Sequence, residues 1–467
     1  MLKVSRSRLD EYRESVLKGS VIASLLRLGA PPMVAQLASV SYSVLNSLWL
    51  TLYSEVAIAV PRQVFPVTFA FTALVNMLTT AGTSLVSQYV GARMYSSVKA
   101  EASRLLTAAL LFGSASAAAF YTLRPLIFGS LIASPPEILD EVMRYTAVSA
   151  ANMVLSSVSS MLSVVVTSVG ETRLTSAINI AAVAVNAALD PVFILGLGPV
   201  PRMGAMGSAL TDTIGLAISS TSLFLLIRRR IPEVTPVPTL SFTARWLATV
   251  AKIGGPISLT QLTNSLAFMT QVRMVNEFGV NVAAAYSIGF IVLDIVDAAM
   301  WGLSGSIAII VGQCLGAGEL KRAKEAAIKG SLFIASLVAL GALAIYPVKE
   351  NVVRVFTSNP VVVKHSLEFL DTILLGLPFF ALFIAGNNAA RGAGRTLVPT
   401  AIGLARLWLV RIGLSYVLAF TLGWGPAGIW LGIMLSNVAG GIPVLAWLAL
   451  ADWTKPVIND INQSGRS

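Results

Sequence analysis

The chain has 467 residues, 55% hydrophobic and only 12% charged, with a formal net charge of +11 and a mean hydropathy of +0.78. A soluble domain carries about 25% charged residues, so this chain lacks the polar groups to cover a water-facing surface, and lipid takes that part of the solvent. One cysteine, Cys314, and one histidine, His365, leave no material for a disulfide framework, a CxxC metal site or a Cys/His catalytic pair.

The first segment, Met1–Gly19, is charged and has no signal-peptide core; residues 1–25 read as a cytoplasmic amphipathic lead-in. Twelve apolar blocks follow, each long enough for a hydrocarbon core of roughly 30 Å, at 26–51, 63–90, 104–127, 139–167, 174–198, 203–228, 249–276, 282–311, 327–348, 366–389, 397–422 and 427–451. None alternates with a period of two, which an outer-membrane barrel requires, so the blocks read as helices. Glu55 and Arg62 read as an external loop after the first. The linker, residues 229–248, holds Pro232, Pro236 and Pro238 and is too polar to span. It separates six-helix bundles at 26–228 and 249–451, and residues 452–467 form a cytoplasmic tail.

Basic residues cluster before the first block (Arg6, Arg8, Arg13, Lys18) and after the second (Arg93, Lys99, Arg104), the sixth (Arg228, Arg229, Arg230) and the eighth (Lys321, Arg322, Lys324). The intervening loops hold few. That alternation is the positive-inside pattern and places both termini in the cytoplasm. The excess charge is therefore a topology signal, with no nucleic-acid partner implied.

An internal repeat organises the chain. Arg27-Leu-Gly29-Ala-Pro31 recurs as Lys252-Ile-Gly254-Gly-Pro256, and Gln88-Tyr-Val-Gly91-Ala92 as Gln313-Cys-Leu-Gly316-Ala317, both 225 residues on. Gly170 aligns with Gly394, and Gly204 with Gly428, at 224. Six spans per repeat put both halves the same way round, so the expected fold is an all-α polytopic membrane protein: two parallel six-helix bundles related by a pseudo-two-fold axis along the membrane normal. Such a duplication typically holds solute between bundles and alternates access, and one chain suffices.

Asp190 is the residue most expected to carry chemistry, because a carboxylate inside a membrane helix costs about 3 kcal/mol on insertion scales. Asn186 lies one turn earlier on the same face. Pro191 has no N–H and frees a backbone carbonyl one turn back, giving an oxygen-rich niche for a proton or Na+. Asn46 reaches a similar depth, and Asp212 in the sixth block is a further acid. Pro31 and Pro191 are the candidate hinges. Tyr42, Trp49 and Asn264 either wall a solute pocket or pack. In the second half, Arg273, Asp294, Asp297, Arg406 and Arg411 either form structural ion pairs or line a cavity for anionic groups.

These motifs resemble those of the multidrug and toxic compound extrusion (MATE) family along nearly the whole chain: Gly-x-Pro opening the first and seventh helices, Phe65-Pro66-Val67, the two Gln-x-x-Gly-Ala ends, Arg391-Gly392-Ala393-Gly394, and Leu189-Asp190-Pro191. The last is similar to the prokaryotic and archaeal branch with coupling acids in its N-terminal bundle. The resemblance implies a secondary antiporter of the cell membrane that exports amphiphilic, cationic compounds against H+ or Na+, with no other cofactor. It also shows departures: Asn46 stands where relatives place an aspartate, Ala209 where a sodium-site threonine is expected, and Asn264 where other branches carry a glutamate. The alternative is a flippase of the wider superfamily for lipid-linked or anionic amphiphiles. Short loops and a single histidine argue against an enzyme, and the chain has no Gly-x4-Gly-Lys-Ser/Thr loop for ATP.

Overall fold

The computed structural model describes residues 7–54 and 56–458, without the side chains of Asp294 and Ile295. Glu55 and the Asp294 side chain, both singled out above, lie outside the described residues.

The short helix α1 (Arg8–Leu17) comes first. Twelve long helical stretches follow among the described residues: α2 (Val21–Tyr53), the pair α3 (Ala59–Phe71) and α4 (Ala73–Gly91), α5 (Tyr95–Arg124), α6 (Pro136–Val169), α7 (Arg173–Leu195), α8 (Ala205–Arg230), α9 (Ala244–Asn276), α10 (Val280–Gly316), α11 (Leu320–Ile345), α13 (Pro360–Ala393), α14 (Leu397–Ala405) with its extension, and α15 (Pro426–Leu450); the short α12 (Lys349–Phe356) precedes α13. Among the described residues, ten helices are long and apolar enough to cross a membrane, and α3 with α4 makes an eleventh candidate bent by 52°. The bent pair and α9 occupy the second and seventh predicted positions. Arg62 lies inside α3, not in a loop.

Two expectations change in detail. The eleventh block is not a regular α-helix: after Ala405 it becomes π-helical over Arg406–Leu414 and Val417–Thr421. The repeat register also shifts at its last helix. The residues that cap α8 and α15 are Gly204 (φ 56°) and Gly425 (φ 61°), 221 apart, and Gly428 lies inside α15. Both caps need a positive φ that a side chain resists, so conformation, rather than glycine spacing alone, identifies the equivalent residues.

The chain packs as two units, residues 7–16 with 34–258 and residues 17–33 with 259–458. In unit 1, α6 lies against α4, α5 and α8, and α7 against α8. A core of Leu50, Val60, Val64, Phe120, Phe128, Val142 and Met153 joins α2, α3, α5 and α6, with Trp49 packed on it. Helix α1 buries Leu9 and Val16; Arg13 Nε donates to the Gly91 carbonyl at 2.7 Å and the Tyr95 hydroxyl to Asp10 at 2.8 Å, so the polar lead-in is docked. In unit 2, α13 packs against α10, α11 and α15. Leucines such as Leu340 and Leu343, 63% and 69% exposed and three residues apart on one face of α11, are left to lipid.

Unit 1 also contains a buried carboxylate at a helix start. Glu101 is 2% exposed and accepts Trp246 Nε1–H with its two oxygens at 2.9 and 3.0 Å, while Arg104 Nη1 stands 3.9 Å away. Trp246→Phe is expected to cost about 1–3 kcal/mol, because it strands part of a buried acceptor. A lower unfolding temperature in detergent measures the loss, and adding Glu101→Gln should recover part of it. An unchanged temperature would show that water takes over the indole's role.

Candidate functional site

The polar residues of the first half converge in unit 1. Asp190, on α7 just before Pro191, is fully buried. Its Oδ2 accepts Asn46 Nδ2–H from α2 at 2.8 Å and its Oδ1 accepts the Thr211 hydroxyl from α8 at 2.5 Å. The same Asn46 amide reaches Ser208 Oγ at 2.6 Å. A second branch runs through Asp212, whose Oδ1 accepts the Tyr42 hydroxyl and Asn186 Nδ2–H, each at 3.2 Å. The Tyr42 oxygen is 3.5 Å from Asn46 Nδ2 and joins the branches. Asn46, Asn186, Asp190 and Asp212 are thus brought into one network, with Tyr42 as a bridge.

Helix geometry explains the assembly. Tyr42 and Asn46 lie four apart on α2, Asn186 and Asp190 four apart on α7, and Ser208 and Thr211 three apart on α8, so each pair shares a helix face. Gly215, one turn beyond Asp212, makes the crossing: a Cβ there would stand 2.2 Å from Asn186 Oδ1.

Ser208 and Thr211 are the members that sequence reasoning missed. The aligned position, Ala209, is buried and offers its carbonyl to Asn152 Nδ2 at 3.0 Å. The hydroxyl comes instead from Thr211, two residues on. The signal was available: 208, 211, 212 and 215 recur at helical spacing opposite the acid of α7.

The donor set suits a hard cation or a proton. Two carboxylates share one hydrogen-bonded chain through Asn46 and Tyr42, and Asn186 Oδ1 is buried with no hydrogen-bond partner. An acceptor without a donor beside two acids is what an incoming cation satisfies, and carboxylate, amide and hydroxyl oxygens are the ligands hard cations take. Beside this network lies a cavity of about 410 Å³ lined by Asn46, Ser47, Arg62, Phe65, Thr68 and Tyr145, among others.

The remaining candidates stand elsewhere. Asn264 and Arg273 are exposed on α9. Arg406 is 6% exposed and has no carboxylate partner among the described residues; its Nη1 donates to Asn437 Oδ1 at 3.3 Å and its guanidinium stacks 4.1 Å from the Phe383 ring centre. Arg411 Nε donates to Gln271 Oε1 at 2.8 Å. Pro31 lies inside α2 beside Pro32, and Pro191 inside α7. His365 bonds Glu368 on the first turns of α13.

Comparison with known proteins agrees with this fold. Residues 31–192 and 256–417 each match the MatE family profile. A FAD transporter of Shewanella oneidensis is 25% identical over 92% of this chain and 95% of its own length. The "Probable multidrug resistance protein NorM" of Deinococcus radiodurans is 26% identical over 55% of this chain and 57% of its own length. A MATE crystal structure in complex with MaL6 superposes with a TM-score of 0.85 at 19% identity, covering 93% of this chain and 97% of that one, a likeness of fold.

Proposed function

The chain belongs to the MatE family of transporters, and from that premise we propose that it is a secondary antiporter that exports amphiphilic organic cations by alternating access in exchange for H+ or Na+. The observation that carries this reading is the two-carboxylate network of unit 1 beside a cavity of about 410 Å³. Asp190, Asn186 and Asp212 would take the coupling ion, Thr211 and Asn46 would hold the Asp190 carboxylate, and Tyr42 would report ion occupancy to the cavity side. Loading neutralises the acids, and a cationic solute competes with the ion for the same negative charge. On this reading the protein sits in the cell membrane with both termini in the cytoplasm and acts as a monomer. The six-helix bundles at 26–228 and 249–451 then supply the alternating halves, with Pro31 and Pro191 as bending points, and no cofactor beyond the coupling ion is needed.

A second reading, export or flipping of an anionic amphiphile, is favoured by Arg62 on the cavity wall and by the similarity to a FAD transporter. One experiment separates the two. The protein is reconstituted in liposomes, and movement of a fluorescent organic cation and of FAD is followed under imposed proton and sodium gradients. Movement of the cation driven by either gradient supports the antiporter; movement of FAD alone supports the second reading. In the same assay, Thr211→Val should weaken coupling-ion affinity about tenfold, since a hydrogen bond to a charged group is worth about 1.5–3 kcal/mol. An unchanged ion dependence would remove Thr211 from the site.

A further inference from the structure

A second group of buried polar residues, in unit 2, plays no part in the network above. It begins with the backbone. The π-helical stretch Arg406–Leu414 belongs to a class that is rare and frequently found at functional sites. Its hydrogen bonds run from i to i+5, so residues five apart follow one another on the same face. In an α-helix they would diverge by about 140°. Arg406 and Arg411 are five apart, and both belong to this one stretch. Two like charges aligned on one face inside a membrane helix oppose folding, and intramembrane charges mark functional sites.

The surroundings supply too few acceptors. Arg406 meets one amide oxygen, on Asn437, and the faces of Phe383 and Phe380; its Nε is buried with no acceptor. Arg411 occupies Gln271 Oε1, and Gln271, fully buried, leaves its Nε2 without an acceptor. Tyr286 lies beside Arg411 and stacks on Trp430, with ring centres 5.8 Å apart, and the buried Trp430 Nε1 also lacks an acceptor. Among the described residues, Asp297 is the carboxylate that faces Arg411, and Arg406 has none. Gly440 makes room for the group: a Cβ there would stand 2.4 Å from Arg406 Cδ. Unpartnered buried N–H donors around a guanidinium with no carboxylate partner among the described residues are the complement of an oxyanion, which accepts from planar guanidinium forks.

We propose that unit 2 binds an oxyanion, the phosphate or carboxylate group of a solute or of a lipid, at the Arg406–Arg411 pair. The site is separate from the coupling network of unit 1, and its test does not depend on transport.

The full-length protein is purified in a neutral detergent and its unfolding temperature followed against inorganic phosphate, and separately in nanodiscs of phosphatidylglycerol or phosphatidylcholine. The expected result is a saturable rise with phosphate that needs at least tenfold more phosphate in Arg406→Gln and is unchanged in Arg354→Gln, an exposed control on α12. A rise confined to phosphatidylglycerol, and lost in Arg406→Gln, assigns the same site to a lipid headgroup. Gln271→Glu gives an independent check if Arg406→Gln does not fold. It places a carboxylate beside Arg411, and should raise the unfolding temperature without ligand and abolish the response. Equal responses in wild type and these variants, or no response of the wild type to either probe, would overturn the proposal.

Discussion

Asp190→Asn should reduce gradient-driven solute movement at least about tenfold, a loss of roughly 1.4 kcal/mol or more in coupling, while leaving the protein folded. The expectation follows from what Asp190 does in unit 1. It is fully buried and accepts two hydrogen bonds, from Asn46 at 2.8 Å and Thr211 at 2.5 Å. Asparagine matches its shape, so packing survives. The variant, however, removes the charge that a coupling ion would neutralise, and its amide nitrogen cannot accept from either donor. Solute counterflow without an ion gradient separates coupling from damage. If exchange at equal concentrations persists while uphill movement is lost, Asp190 is the coupling residue. If uphill movement survives, the ion load must reside on Asp212, which is tied to the same network by Tyr42 and Asn186.

The largest expected effect on stability lies in the Gly-x-Pro motif. Gly254→Ala should destabilise unit 1 by about 1–3 kcal/mol or more, the range for forcing extra volume into packed structure, whereas Gly255→Ala should be neutral or slightly stabilising. A Cβ on Gly254 would stand 2.1 Å from the Met77 carbonyl oxygen and 2.7 Å from its carbonyl carbon, and backbone of a neighbouring helix cannot swing aside as a flexible side chain can. A Cβ on Gly255 meets nothing within 4 Å, and alanine favours a helix over glycine by about 1 kcal/mol. Unfolding temperature and monodisperse yield in detergent test the pair. Equal behaviour of the two variants would mean that the α9–α4 approach relaxes at little cost. The repeated counterpart, Gly29, touches Leu303 in unit 2, where a Cβ would stand 2.8 Å from Leu303 Cδ1 and 2.9 Å from the Leu303 carbonyl oxygen. In both halves the motif's glycine is therefore a crossing point between helices, a role distinct from any bending at its proline.

The number and order of the long helices were legible because each apolar block is a local property. Twenty-odd residues with no charge in a low-dielectric solvent must satisfy their own backbone hydrogen bonds, and the α-helix does so without reference to the rest of the chain. The same holds for helix ends such as Gly91 and Gly316, which terminate α4 and α10 at the repeat spacing of 225. Asp190 was legible for a related reason: an acid in an apolar run has a cost that sequence alone reveals. Its surroundings were legible only in part: spacing and depth pointed to Asn186, Asn46 and Asp212, but not to Ser208 and Thr211. Sequence alignment put the threonine at Ala209, but a helix turns about 100° per residue, so a two-residue change in position decides whether a hydroxyl meets the carboxylate.

By itself, then, the sequence determined an all-helical membrane chain, its duplication, the family resemblance and the acid of the fifth span, all set by hydropathy and short-range pattern. Tertiary structure alone decided the rest. It joined Asn46, Thr211 and Ser208 to Asp190, set Asp212 on the same network through Tyr42, and moved Arg62 from a loop to a cavity wall. It also turned Arg406 and Arg411 onto one face by converting a span that reads as ordinary helix into a π-helix. The physical reason is common to all of these. Side-chain encounters between helices depend on rotation about each axis, and rotation is fixed by packing against neighbours that lie far away in the chain.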